Sequence, residues 1–409
     1  MTRGSILEYR KAVRERYLKV GRREKGRILD EFTQVTGYHR KAAIRLLRRE
    51  PLLPRRGRRG GRRRYDPEVV DALRKVWEVS DRLCSKRLQP FLGELVHVMR
   101  VNQELQIDGK VADLLCKMSP ATIDRLLRPW RRTGGRRPLS TTRPGSLVKS
   151  SISIRTFADW TEGRPGFLEA DLVAHCGESV EGFYLNTLST VDVATGWSEC
   201  VPVWGKGEQR VRGAIHRIRQ RLPFPLLGLD SDNGGEFINH YLFSYCRDEK
   251  ITFTRSRPYK KNDSCYVEQK NWSVVRRLVG YDRYTSHEAF KCLDLLYLCL
   301  HEYVNFFQPT MKLLSKTRHG ARVHKVYDTA KTPYQRLLEY GVLTPDEEAR
   351  LTAFYRRLNP VRLLSYINGH LERLWKLAAR PAPQLKVRPG TKKEAVSVTR
   401  PVEATVPVR

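Results

Sequence analysis

The stretch from residue 167 to 279 constrains the fold most. Strand-like segments occupy Phe167–Ala174, 183–193 and 197–203, and Thr195-Gly196 supplies a hairpin turn between the last two. A helix follows over Glu208–Arg221, then a short buried strand over 226–230, a helix over 236–248, a strand over 251–255 and a helix over 264–279. Three strands in hairpin succession followed by alternating helix and strand predict a mixed α/β layer fold.

Carboxylates stand in that pattern where structure alone gives little reason for them. Asp171 lies inside the otherwise apolar run FLEADLVAH, and a charge in mid-strand is costly unless it is paired or bound to a cation. Asp232 lies just past the fourth strand, in DSDNGGEF, and Glu268 in the first turns of the last helix. Strand alternation alone does not choose between Asp171 and Glu169, or between Asp232 and Asp230, because each pair shares one parity.

The flanks differ in character. Residues 1–54 read as helices, with Ile28, Leu29 and Phe32 on one face, a break at Thr36-Gly37, and a basic helix after it. Helix, glycine turn and basic helix make a helix-turn-helix pattern, in which Tyr38, His39, Arg40, Lys41 and Arg45 would face the major groove. Residues 55–65 form a basic linker, with Arg58, Arg59, Arg62 and Arg63 among seven arginines and three glycines. Nothing there can bury a core, and it suits a phosphate backbone or a minor groove.

Residues 66–135 predict a second helical, helix-turn-helix-like domain, with a helix opened by Pro67 and another from about Pro90 to Val101. Ser119 and Pro120 begin a third, which turns Arg125 and Arg128 outward. Residues 136–150 are a Gly/Pro/Ser-rich linker, 151–300 the mixed-sheet domain, 301–380 a helical region and 381–409 a disordered tail. The fold class expected is therefore multidomain, α and α/β.

The formal charge is +33, and residues 1–64 alone hold 22 basic against 6 acidic side chains. A chain this basic seeks a polyanion, usually nucleic acid. Its eight cysteines include no C-x-x-C pair, which argues against a structural zinc site and for reduced thiols. There is no apolar run near 20 residues and no apolar core near the start, so a cytoplasmic protein without membrane contact is expected.

Residues 167–310 resemble the catalytic domain shared by retroviral integrases and bacterial insertion-sequence DDE transposases. The motifs that carry the resemblance are Asp171 on the first strand, Thr190-Val191-Asp192-Val193-Ala194-Thr195-Gly196-Trp197, Asp232-Asn233-Gly234-Gly235-Glu236-Phe237, and Glu268, with thirty-five residues between it and Asp232. Val304-Asn305-Phe306-Phe307-Gln308-Pro309 and Lys331-Thr332-Pro333-Tyr334 resemble the family's downstream elements.

The resemblance implies an RNase H-like core, Asp171, Asp232 and Glu268 as catalytic metal ligands, and two Mg²⁺ ions, with Mn²⁺ as a substitute. It also implies DNA ends and target DNA as partners, a homo-oligomer on DNA, and cutting followed by joining. Such chemistry builds negative charge on phosphodiester oxygens, which hard cations held by carboxylates can stabilise.

Asp192 reads as structural, Glu236 as support for a helix start, and His175 and Cys176 as a partly buried, inert pair. In the Glu268 helix, Trp272 and Val275 form an apolar stripe suited to the core, in place of the cations that relatives carry there; Lys270, Arg276 and Arg277 sit on other faces or further along. A DNA-binding repressor with an inactive domain and a nuclease that only cuts are the competing functions.

Overall fold

The computed structural model describes residues 3–48, 65–131, 153–154, 163–257 and 265–379. Arg58, Arg59, Arg62 and Arg63, the linker at 136–150 and the tail at 381–409 lie outside the described residues. The chain divides into two compact units, Met1–Asp66 and Pro67–Arg409.

The first unit holds helices α1 (Arg3–Lys19), α2 (Arg22–Thr36) and α3 (Arg40–Arg48). Val13, Tyr17, Ile28, Leu29, Phe32, Ala43 and Leu47 close its core. Gly37 ends α2 in the left-handed conformation (φ 72°), and its N–H returns to Thr33 O. A side chain is strained there, which is why glycine makes the turn into α3.

The second unit begins with α4 (Pro67–Val79), α5 (Ser85–Val101), α6 (Gly109–Cys116) and α7 (Pro120–Leu127). Ser119 caps α7 by accepting from Thr122 N, with Pro120 behind it in the first turn. Helix α5 starts five residues before Pro90, so that proline lies inside the helix rather than opening it.

The sheet contains β1 (Ser153–Ile154), β2 (Phe167–Ala174), β3 (Asn186–Asp192), β4 (Ser198–Val203), β5 (Gly228–Ser231) and β6 (Thr252–Arg255), with α8 (Glu208–Arg221) and α9 (His240–Asp248) between the later strands. Its order is β1-β6-β5-β2-β3-β4, and β3 alone runs against the rest. This is the RNase H-like mixed sheet expected from the motifs.

Leu168, Ala170, Leu188, Val201 and Leu229 pack beneath Val211, Ile215, Ile218 and Leu242 of α8 and α9. The alternate residues of β2 therefore face the other side, where the chain continues as α10 (Cys265–Lys270), a π-helical turn (Asn271–Arg276), α11 (Arg277–Val279) and α12 (His287–Phe307). The helix expected over 264–279 is thus present without a gap from Cys265 to Val279, with a π-helical turn in its middle.

The remaining elements are the hairpin β7 (Leu313–His319) and β8 (Arg322–Tyr327), then α13 (Pro333–Tyr340), α14 (Pro345–Arg357) and α15 (Pro360–Lys376). The hairpin is a correction to the helical reading of residues 301–380; it leaves β7 exposed along its length. Among the described residues no helix is long and apolar enough to cross a membrane.

Three of the sequence motifs are explained by these joints. Asp192 accepts from Gly166 N at 2.8 Å and from Thr195 N and Oγ1 at 2.7 Å each, which locks the β3–β4 turn. Asn305 donates to Ser198 O at 2.9 Å and accepts from Ser198 N at 2.8 Å, satisfying the outer edge of β4. Thr332 and Gln335 form a capping box with Pro333 in the first turn of α13.

Candidate active site

The β2–β5 register builds the site. Phe167 pairs with Gly228, Glu169 with Asp230 and Ala170 with Ser231. One further step places Asp171 beside Asp232, and neighbouring strands lie about 4.8 Å apart. Both carboxylates are half-buried. Burial raises the Asp232 carboxyl to about 7, helped by the charge of Asp171 and then of Glu236. Burial also raises Asp171, against bonds from Leu172 N and Asn271 and the charge of Arg276. Two carboxylates held this way resist ionising together.

The Asp-Asn-Gly box shapes the second of them. Asp232 Oδ1 accepts from Gly234 N at 2.9 Å, which turns the chain back after β5. Asn233 donates to Ser256 O at 2.8 Å and accepts from Arg255 Nη1 at 3.1 Å, tying the turn to the end of β6. A Cβ at Gly234 would meet the Glu236 carboxyl at 2.7 Å, so glycine lets that side chain fold back. Glu236 does not start the helix. Helix α9 begins at His240 and is capped by Asn239, and the Glu236 carboxyl is raised by burial and by the charge of Asp171. Its charge adds to the rise at Asp232.

Glu268 stands exposed on α10. Bonds from the backbone of its helix and from Asn271 tie that helix to β2. Glu169, fully buried, accepts from Val267 N at 2.9 Å. Asn271, one turn beyond Glu268, donates to Asp171 Oδ2 at 2.6 Å. Burial drives the Glu169 carboxyl up to about 8, with Asp230 and Glu268 adding to the rise and the bonds from Val267 and Tyr266 opposing it. Asp230 is held by Thr254 Oγ1 at 2.6 Å. The residues of like parity thus divide in use: Asp171 and Asp232 meet at the open end of the strands, while Glu169 and Asp230 pack inside.

Asp171 and Asp232 fit a divalent cation, being adjacent hard oxygen donors whose repulsion a cation relieves. Glu268 is not gathered with them. Among the described residues, no three His, Cys, Asp or Glu side chains form a ligand group.

The Glu268 helix also departs from its expected faces. Trp272 is 60% exposed, whereas Val274 and Val275 are buried. The π-helical turn inserts an extra residue and rotates the later helical residues by about 100°. Lys270 is buried, and desolvation lowers its ammonium to about 7. Asn271 was missed by sequence reasoning; its spacing from Glu268 was the signal available. His175 and Cys176 are both buried rather than half-buried.

In the N-terminal unit, Tyr38, His39, Arg40, Lys41 and Arg45 are all exposed at the start and along one side of α3. Arg40 is tied back to α2 by an ion pair with Asp30. Arg125 and Arg128 are exposed on and just after α7.

No family model matches the chain. It is 45% identical over 338 residues to the uncharacterized protein y4rM of Sinorhizobium fredii, covering 82% of this chain and 95% of that one. Solved structures similar to it include the catalytic core domain of BIV integrase, at 20% identity over 43% of this chain and 95% of that one, TM-score 0.30. A simian T-cell lymphotropic virus intasome in complex with the PP2A regulatory subunit B56 gamma is 14% identical over 59% of this chain and 73% of its own, TM-score 0.30.

Proposed function

The chain belongs to the family of the uncharacterized protein y4rM of Sinorhizobium fredii, and we propose that it is a DNA transposase or integrase of the DDE type. The observation that carries this reading is the placement of Asp171 beside Asp232 by the β2–β5 register, with burial holding both carboxyls up and the charge of Asp171 adding to the rise at Asp232.

In this reading Asp171 and Asp232 would hold Mg²⁺, with Glu268 as the third ligand that the resemblance implies. Bound Mg²⁺ supplies charge stabilisation to the attacking and leaving oxygens of a phosphodiester. The residues around it orient the carboxylates: Asn271 fixes one oxygen of Asp171, Gly234 N fixes one of Asp232, and Glu169 holds the start of the Glu268 helix.

Two reactions follow at one site. In the first, a water oxygen bonds to phosphorus, the bond to the 3′ oxygen breaks, and a 3′-OH is freed at the element end. In the second, that 3′ oxygen bonds to a phosphorus of target DNA and displaces the target's own 3′ oxygen. The basic residues of α3, together with Arg125 and Arg128, would hold the element end, with Arg58, Arg59, Arg62 and Arg63 as further contacts to the backbone.

The separation of Glu268 from the aspartate pair favours one alternative, a DNA-binding repressor with an inactive catalytic fold. One assay separates the readings. The protein is incubated with Mg²⁺, labelled DNA from the flanks of its gene, and a target plasmid. Nicking and strand transfer, both lost in Asp232→Asn, are expected. Cutting without joining would indicate a nuclease, and binding without any metal-dependent product would indicate the repressor.

A further inference from the structure

A cavity of about 450 Å³ lies on the far side of the Glu268 helix, between its π-helical turn, the α4–α5 turn and α12. Its wall is cationic. Arg82, Arg87, Lys270 and Arg277 line it, and its one carboxylate, Asp81, is paired with Arg277. Lys270 is only 8% exposed, and among the described residues no carboxylate lies at ion-pair distance from Lys270 or Arg87. Arg87 spends its Nε on Pro309 O at 2.6 Å. Buried cations without counter-charges are costly unless an anion joins them.

Two further features face the same space. Trp272 lines the cavity while keeping 60% of its surface exposed, four residues beyond Glu268. Asp81 and Arg82 both adopt the left-handed conformation, at φ 55° and 57°, which non-glycine residues rarely hold. That turn brings the Arg82 side chain to the cavity rim. A largely exposed indole beside the buried Lys270 and the half-buried Arg87 matches a ligand with one flat ring and one phosphate.

We propose that this cavity receives one unstacked nucleotide of a DNA strand, its base against the Trp272 indole and a phosphate facing Lys270 and Arg87. The proposal rests on the reading of DNA as the substrate. It adds that a strand at the carboxylates is gripped from behind, by the same helix that carries Glu268.

The test is fluorescence anisotropy in EDTA, so that no chemistry intervenes. The probes are a mixed-sequence single strand of about 20 nucleotides and its duplex, a span that covers one single-strand site. Trp272→Ala, at an exposed position, should weaken the single strand at least about fivefold, the lower end of what one base–aromatic stack contributes, and leave the duplex nearly unchanged. Trp272→Phe should retain most of the affinity.

A 2-aminopurine single strand should be quenched by the wild type and not by Trp272→Ala. Unchanged single-strand affinity in Trp272→Ala overturns the proposal, and so does an equal loss on both probes. If the single-strand discrimination holds while nicking and joining are absent, the cavity stands and the catalytic reading falls. If the wild type binds neither probe, both fall.

Discussion

Asn271 donates from Nδ2 to Asp171 Oδ2 at 2.6 Å, joining the first residue of the π-helical turn to the middle of β2. Glu268 lies one turn earlier on the same run of helix, so the bond sets where that turn sits over the strand. Asn271→Ala should therefore leave binding of element-end DNA unchanged and lower the rate of strand cleavage about tenfold or more, the scale on which small misplacements act in catalysis. Single-turnover cleavage beside an equilibrium binding curve checks this. A parallel loss in both would mean that Asn271 serves folding rather than position.

Glu169 offers a sharper test of positioning. Its Oε2 accepts the Val267 N–H, and a glutamine keeps an acceptor there. Glu169→Gln should keep near wild-type cleavage. Glu169→Ala leaves that N–H without its partner and should cost about 1–3 kcal/mol of stability. Urea melts and single-turnover cleavage on both variants read the two effects. Equal activity in Glu169→Ala and the wild type would remove the clamp from the site.

Much of this site is legible in the sequence, and the reasons are physical. Asp171 declares itself because a carboxylate is costly in an apolar strand, and Asp232 because Asn-Gly after it forces a turn at a strand end. Their juxtaposition needs only the parallel register of β2 and β5. The Glu268 helix is less legible. Trp272 is apolar and reads as core, but it lies four residues beyond the exposed Glu268, shares its face and is 60% exposed. Glu236 was misassigned because Asn239 provides a better cap three residues later. The burial of Lys270 depends on the α4–α5 turn packing against the far side of the helix, a long-range contact that local pattern does not encode.

His175 predicts an acid-sensitive fold. Its ring is fully buried and bonded at 2.7 Å to Thr187 Oγ1, which bonds at 2.6 Å to Tyr297 OH. Burial, and then the charge of Arg276, lower its pKa from 6.5 to about 3. The unfolded chain therefore binds one more proton here between those values, and stability falls as pH drops through that window. The contribution of this group is about 1.4 kcal/mol per pH unit, and it vanishes above the unfolded pKa. His175→Gln should flatten urea-melt stability between pH 6 and pH 4 by one proton's worth, relative to wild type. An unchanged slope would mean that the ring titrates normally.

The aspartate pair should make the fold less stable without a cation than with one. Asp171 and Asp232 are adjacent by register, and each raises the cost of charging the other. Asp232→Asn removes that repulsion while keeping the Gly234 N–H bond through its carbonyl oxygen. In EDTA the variant should melt higher than the wild type, by about 2 °C for each kcal/mol relieved in a chain of this size. Mg²⁺ should raise the wild-type midpoint, because binding to the folded state alone stabilises it, and should leave Asp232→Asn nearly still. Differential scanning fluorimetry with and without Mg²⁺ gives all four midpoints. A variant that melts lower in EDTA would show that the pair is held by its bonds more than it is strained by its charges, and a wild type indifferent to Mg²⁺ would remove the metal from the site.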